Sequence, residues 1–477
     1  MTFNVVIKSI KWSLLDRVFS AVSQFAIGIL IARVLLPRDY GLISMLAFFM
    51  SISQLLIDGG FTTAIIQKKN ISQTEQSSVF FVNLILAVFI YCILYLTAPF
   101  ISNFYNEPQL VNIIRVMGLL LISSSLGLIQ NALLTKSLDF KSITKISLTA
   151  SLISGICAYI LALNNFGVWA LVLQQLMRSM ILNIFLWLKS KWRPSIVINL
   201  KAISELRKFS INILFSGLLN AIFDNIYYAV IAKLFSANKL GFYTRANQLQ
   251  QFPVSLISSV VQRVFLPTMT NFSDDTVKLK YYYKNSIKVL ALLVFPLMML
   301  FNLLSGSIVF ILLTEKWLPL VPMLQIMLLY GMFYPIHAVN LDILNVMGRS
   351  DLFLKLEIIK KIIIGLTLII TSQLGINAMI LGTLVLTIGF LPLNIFYVDK
   401  VINYKLYEQI ADFKKPLLFS IVVSILLYPL KFVFSQHLLL ILVTSLLFFM
   451  FFILFLYIFE RGLFNKGKGF IFKNKML

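Results

Sequence analysis

The stretch LLLILVTSLLFFMFFILFLYIF, Leu438–Phe459, decides the class of this chain. It carries no charged residue, and it is long enough to cross a bilayer, whose hydrocarbon core of about 30 Å takes about 20 helical residues. Phe80–Pro99 and Ile362–Ile370 are likewise too apolar for a solvated surface. The composition extends the reading to the whole chain. Of 477 residues, 59% are hydrophobic and only 12% are charged, against about 45–50% and about 25% in soluble domains. A water-soluble fold of this length would still have surface to cover. Lipid must therefore cover much of it, and the chain reads as an all-α integral membrane protein.

Apolar stretches broken by charged or turn-rich segments place about fourteen transmembrane helices. They fall at 12–36, 41–66, 79–102, 110–134, 146–164, 167–188, 209–235, 247–270, 287–312, 320–347, 356–374, 376–399, 416–435 and 438–460. Two of them hold prolines expected to kink them, Pro253 and Pro267 in one, Pro322 and Pro335 in the other. The first eleven residues carry Lys8 and Lys11 before a long apolar stretch, which reads as a retained first helix and not a cleaved signal peptide.

The formal net charge of +23 would suggest nucleic acid in a soluble protein. Here the bases sit in short loops and read as topology, with attraction to anionic lipid headgroups as a further contribution. If the N-terminus is cytoplasmic, inside segments hold 30 of the 41 Lys and Arg residues and outside segments hold 7. That asymmetry follows the positive-inside rule. It predicts a cytoplasmic N-terminus, a cytoplasmic C-terminus and an even helix count.

An internal repeat is visible. Ile31-Ala32-Arg33 and Gly41 recur as Ile231-Ala232-Lys233 and Gly241, shifted by 200, and Ser44 then matches Thr244. Gly167 opens a helix as Gly375 does, with Ala170-Leu171 beside Ala378-Met379. Helices 1–6 therefore look duplicated as helices 7–12. An even number per repeat keeps both copies in one orientation, so two six-helix lobes with a path between them are expected. The division is 1–200 for the first lobe, 201–402 for the second, and 403–477 for two extra helices and a basic cytoplasmic tail.

Charges at membrane depth are costly and are functional candidates by default. Arg178 lies about 16 Å from the outer end of its helix, near the midplane. Asp224 sits within helix 7, Arg263 in the inner half of helix 8, and Arg115 in the outer part of helix 4. Arg17 lies near the start of helix 1 and Asp58 near the inner end of helix 2. One reading is a water-filled cavity lined by Arg178, Arg263 and Arg17, since a guanidinium binds phosphate oxygens bidentately and keeps its proton. The other is interhelical pairing, for instance Arg17 with Asp16 or Asp58. Arg17, Asp58 and Arg115 are also close enough to an interface to snorkel.

Several features carry no chemistry. Cys92 and Cys157 lie in apolar segments and read as small core residues. His337 and His437 stand alone, without metal-ligand spacing, and read as structural. Trp12, Trp169, Trp187, Trp192 and Trp317 read as interfacial anchors. The Asp58-Gly59-Gly60 turn reads as a close helix contact before a helix break for substrate. No nucleotide-binding or hydrolase motif appears, and no cofactor is expected.

Arg33-Val34-Leu35-Leu36-Pro37-Arg38-Asp39-Tyr40-Gly41 resembles the signature of bacterial polysaccharide-export flippases, the Wzx-type and lipopolysaccharide biosynthesis translocases. Asp58-Gly59-Gly60-Phe61 with Gln67-Lys68-Lys69, Leu133-Leu134 through Phe140-Lys141, Gly167-Val168-Trp169-Ala170-Leu171, and Leu240-Gly241-Phe242-Tyr243-Thr244-Arg245-Ala246 resemble that family's motifs in order, over roughly 1–400. The family belongs to a larger exporter superfamily with multidrug (MATE-type) and lipid II relatives. The resemblance implies a MATE-like fold of two six-helix lobes, alternating access and a polyprenyl-diphosphate-linked oligosaccharide as cargo. It further implies cationic cavity residues, H+ or Na+ gradient coupling in some members, and a setting in the bacterial inner membrane beside glycan polymerase and chain-length machinery. Nucleic acid is not an expected partner.

Two other readings compete. A MATE-type small-molecule exporter of cationic drugs would favour an acidic cavity, and Arg178 and Arg263 argue against that. A membrane glycan polymerase or ligase would carry a large outer loop with catalytic groups, whereas the outer loops here are short, so no enzyme is expected.

Overall fold

The computed structural model describes residues 19, 21–197 and 199–459, without most side chains of 200–213 and 259–268. The expected basic tail and the Lys8, Lys11, Trp12, Asp16 and Arg17 positions lie outside the described residues. The described chain is helical. Its first half runs α1 (Ala21–Val34), α2 (Pro37–Met45), α3 (Ala47–Asp58), α4 (Phe61–Gln67), α5 (Gln73–Tyr105), α6 (Leu110–Met117), α7 (Leu119–Lys136), α8 (Phe140–Leu163), α9 (Val168–Lys189) and α10 (Leu200–Leu234). Then come α11 (Ala237–Asn271), α12 (Thr276–Leu313), a 3-10 turn (Glu315–Leu320), α13 (Val321–Gly331) and α14 (Tyr334–Val346). Last are α15 (Ser350–Ser372), α16 (Ile376–Ile402), α17 (Leu406–Leu427), α18 (Leu430–Val433) and α19 (His437–Phe459).

Each of the fourteen stretches read from the sequence falls on a helix, and 11 helical stretches are long and apolar enough to cross a membrane. The others fall short for local reasons. The described part of α1 is short, α11 is polar along much of its length, and α15 carries Lys355, Glu357, Lys360 and Lys361 in its first half. The most apolar helix is α19, with a mean hydropathy of 3.0. It leaves Leu442, Leu446, Phe449 and Leu454 exposed, an apolar surface that only lipid can cover. Cys92 is exposed as well, not a core residue, and neither cysteine is bonded.

Four expected spans, 41–66, 110–134, 320–347 and 416–435, are interrupted, and in two the residues explain the break. The 41–66 stretch breaks between α3 and α4 because Gly59 (φ 55°) and Gly60 (φ 77°) adopt left-handed conformations, which glycine tolerates without a Cβ clash. The glycine pair thus ends a helix. The 320–347 stretch turns at Met332-Phe333, just before Pro335, whose missing N–H cannot continue the helical ladder. In contrast, α11 continues as one helix through Pro253 and Pro267.

Chain contacts divide the molecule into two compact units, Met1–Arg245 and Ala246–Leu477. In the first, α8 and α7 pack on α9, α5 packs on α7, and α10 packs on α3, α4 and α5. Asn225 Nδ2 on α10 donates to Ser51 Oγ on α3 at 3.1 Å. At one end, Phe61, Ile65, Val79, Phe80 and Ile129 form an apolar cluster, with Trp187 and Trp192 packed against it edge-on to Phe80. In the second unit, α12 is the spine for α13, α17 and α19. The fully buried Tyr283 of α12 donates to Asn340 Oδ1 of α14, which also accepts from Gln409 Nε2 of α17 at 2.9 Å. Lys280 pairs with Glu408 at 2.8 Å, and Lys284 and Lys288 face Asp412 at 3.6 and 3.4 Å. At the far end of α12, Ser307 Oγ bonds His437 Nδ1 of α19 at 3.0 Å. Trp317, far from anchoring at an interface, is fully buried.

The 200-residue repeat has a direct structural counterpart inside the first unit. Chain segments at 34–37 and 234–237 follow the same path, with α1 ending at Val34 and α2 starting at Pro37, α10 ending at Leu234 and α11 starting at Ala237. Ile31, Ala32, Ile231 and Ala232 are all buried. The two copies meet at their glycines. A Cβ on Gly41 would stand 1.8 Å from the Ala237 carbonyl oxygen, and one on Gly241 would stand 1.8 Å from the Pro37 carbonyl oxygen. Repeat-equivalent residues thus contact each other's equivalents, as across a local two-fold axis. Thr244 Oγ1 donates to Ser44 Oγ at 2.8 Å beside this seam. Arg245 closes it, with its Nη2 donating to Gly28 O at 2.8 Å and its guanidinium 3.9 Å from the Tyr40 ring centroid.

In a background lacking Cys92 and Cys157, the pair Ser44→Cys and Thr244→Cys is expected to form a disulfide in membranes under mild oxidation. A protease cut in the intervening chain followed by non-reducing electrophoresis reads it. No crosslink would contradict the seam.

Candidate functional site

A cavity of about 410 Å³ opens among α3, α7 and α9 of the first unit. Its polar lining is Gln54, Ser124, Asn131, Gln175, Arg178, Ser179 and Asn183, with Leu120, Gly127, Leu128, Leu182 and Leu186 between them. The helical period produces this face. Gln175, Ser179 and Asn183 follow at steps of four on α9, so they stack on one side of that helix. Hydrogen bonds fix the wall. Ser123 and Ser179 hydroxyls are 2.7 Å apart, Asn183 Nδ2 donates to Ser123 Oγ at 3.0 Å, and Ser124 Oγ donates to Gln54 Oε1 at 2.8 Å.

Arg178 is the only charged residue in this lining. It stands midway along the 22-residue helix α9, half-buried, and makes no salt bridge among the described residues. A helix of that length spans about 33 Å, so the guanidinium lies near the centre of a bilayer of about 30 Å. An uncompensated cation there is costly. The other polar groups in the described lining are neutral hydroxyls and amides.

Among the described side chains, Asp58, Arg115 and Asp224 are not in the lining of this cavity. Asp58 accepts from the Thr62 amide at 3.3 Å and from the Thr62 hydroxyl, so it caps α4 across the Gly59-Gly60 turn. Arg115 lies with its guanidinium 4.4 Å from the Tyr95 ring centroid, a cation–π contact between α6 and α5. Asp224 is exposed on α10. The backbone of Arg263 lies in α11, but its side chain, like all of Arg17, is outside the described residues. His337 has both ring nitrogens engaged, Nε2 with Thr387 O at 3.0 Å and Nδ1 with Asn394 Nδ2 at 2.7 Å, and it ties α14 to α16. The sequence reading missed the neutral lining residues, because a single Ser, Asn or Gln in an apolar helix draws no attention; their four-residue spacing on α9 was the available signal.

The helices, their packing and a polar cavity at membrane depth define the fold of a multi-pass membrane transporter. This fold is similar to that of the lipid II flippase MurJ in an inward closed conformation, with a TM-score of 0.78 at 15% identity over 96% of this chain and 99% of that one. Residues 30–322 match the polysaccharide biosynthesis protein family, and the chain belongs to it. Teichuronic acid biosynthesis protein TuaB of Bacillus subtilis (strain 168) is 27% identical over 325 residues, 68% of this chain and 67% of that protein. Lipopolysaccharide biosynthesis protein WzxC of Escherichia coli (strain K12) is 23% identical over 402 residues, 83% of this chain and 80% of that protein. The chain is a multi-pass membrane protein of polysaccharide biosynthesis with the fold of a transporter, not of an enzyme.

Removing Arg178 separates a functional cation from a structural one. Arg178→Leu loses no ion pair among the described residues and relieves the desolvation of a charge. Its melting temperature in detergent is therefore expected to equal or exceed the wild-type value. A fall of several degrees would mark Arg178 as part of the packing.

Proposed function

We propose that this chain flips a polyprenyl-diphosphate-linked oligosaccharide across the bacterial inner membrane for cell-surface polysaccharide synthesis, whether O-antigen, capsule or exopolysaccharide. The observation that carries this reading is Arg178, at mid-helix and the one charged residue in the described lining of a cavity whose other polar groups are hydroxyls and amides. A guanidinium suits diphosphate oxygens bidentately, and hydroxyls and amides suit sugar hydroxyls. The family description and the named roles of MurJ and WzxC support the same cargo. Arg263 and Arg17 are assigned to the same path on their depth in the sequence.

The duplicated halves, 1–200 and 201–402, alternate in exposing this path, while the lipid tail stays in the bilayer. The Lys and Arg distribution supports an orientation with both termini in the cytoplasm. The Gly41–Gly241 seam then lies at the outer ends of its helices and acts as the closure toward the outside. An H+ or Na+ gradient, which the family resemblance implies for some members, is the driving force that fits this reading.

The test uses cells lacking the protein, with the polyprenyl-linked oligosaccharides located by a membrane-impermeant lectin on spheroplasts. Complete units are expected in the cytoplasmic leaflet. The wild-type gene clears them. Arg178→Ala is expected to slow clearance about 10- to 100-fold, the worth of a charged hydrogen bond. If clearance survives Arg178→Ala, the flippase reading stands and the site falls. If no lipid-linked sugar accumulates and drug resistance rises on overexpression, the exporter reading replaces it.

A further inference from the structure

A second cavity, about 350 Å³, lies in the first unit away from Arg178. It is lined by Asp39, Gln109, Asn112, Ile113, Phe166, Gly167, Val168 and Trp169. Three connections converge there: the one between α1 and α2, the one between α5 and α6, and the one between α8 and α9. The Lys and Arg pattern places all three on the outer side. Two motifs singled out in the sequence also meet there, Pro37–Gly41 and Gly167–Leu171, although neither contributes to the Arg178 cavity. Trp169, which reads from the sequence as an interfacial anchor, lines this pocket.

The composition of the pocket is selective. It has two aromatic rings, one carboxylate, two amides and no Lys or Arg. Asp39 is held in place, since its Oδ2 accepts from the Leu36 amide at 3.0 Å. Gly167 takes a positive φ of 54°, so the turn into α9 presents backbone and no side chain to the pocket. Asn112 and Gln109 are exposed residues of its lining. The volume falls within the range of about 300–1,000 Å³ for small-molecule sites.

An anion is the wrong ligand, because Asp39 would repel it and no Lys or Arg stands in the described lining to hold it. A sugar ring is the right one. Its C–H face stacks on indole and phenyl rings, and its paired hydroxyls both donate and accept, matching a carboxylate and two amides. We propose that this pocket is a carbohydrate subsite on the outer face, taking one uncharged sugar residue of the glycan as it leaves. The inference rests on the flippase reading for the origin of that glycan, but the chemistry of the pocket stands apart from Arg178. Transport therefore uses two separate recognitions, a cation for the phosphates and an aromatic–amide pocket for a sugar.

The experiment uses the purified full chain in a maltoside-free detergent, with free glucose, galactose, N-acetylglucosamine and rhamnose as probes. Saturation-transfer difference NMR reads contact between protein and sugar, and inorganic phosphate serves as competitor. At least one sugar is expected to give a saturable signal that phosphate does not displace. Asn112→Ala and Trp169→Ala should each reduce it at least several-fold with an unchanged melting temperature, while Arg178→Ala leaves it intact. Asn112→Ala decides the matter if Trp169→Ala fails to fold. No saturable signal from any of the four sugars, a signal indifferent to Asn112→Ala, or one abolished by phosphate or by Arg178→Ala would overturn the proposal. Sugar binding that persists although cells accumulate no lipid-linked oligosaccharide would uphold the subsite and sink the flippase reading.

Discussion

The first unit is organised around one steric constraint, the backbone-to-backbone approach at Gly41 and Gly241. Side chains on both helices would hold them apart by several ångströms. Without Cβ atoms, the carbonyls of Ala237 and Pro37 reach the opposite helix, and close packing replaces the hydrophobic driving force that lipid cannot supply. The Ser44–Thr244 hydrogen bond and the Arg245 contacts with Gly28 and Tyr40 are possible only at this separation. The seam also sets the position of α2, which packs on α9 and carries Asp39 toward the turn at Gly167.

From α9 the constraint reaches both cavities. The start of α9 closes the aromatic–amide pocket, and its middle carries Arg178. One rigid helix therefore links the two. In the hydrocarbon region an isolated polar group is costly, so Ser123, Ser124, Ser179, Asn183 and Gln54 satisfy one another across α3, α7 and α9. Among the described residues the guanidinium of Arg178 has no carboxylate partner, which is the state an anion-binding site requires. The second unit handles its polar groups differently. Tyr283, Asn340 and Gln409 are sealed together, and its lysines at the start of α12 are matched by Glu408 and Asp412.

The membrane class, the fourteen helical stretches and the 200-residue repeat were legible in residue order alone. Lipid solvation acts on each helix separately, so a long uncharged run such as Leu438–Phe459 reports itself without reference to any other part of the chain. The repeat is legible for a related reason: both copies meet the same demand for small residues, and Gly41 and Gly241 keep the register in which that demand arises. Arg178 stood out because a charge at mid-helix is rare. The same rule singled out Arg115 and Asp58, which the structure places over the Tyr95 ring and against Thr62.

Only the tertiary structure decided which polar residues act together. Gln54, Ser124 and Arg178 come from three helices far apart in the chain, and no local period links them. Asp39, Asn112 and Trp169 likewise meet only because three connections fold to one end of the unit. Burial and lipid exposure are properties of single segments, and the sequence determines them. A site is a property of distances between segments, and those are set by how closely the helices pack, down to the missing Cβ atoms at Gly41 and Gly241.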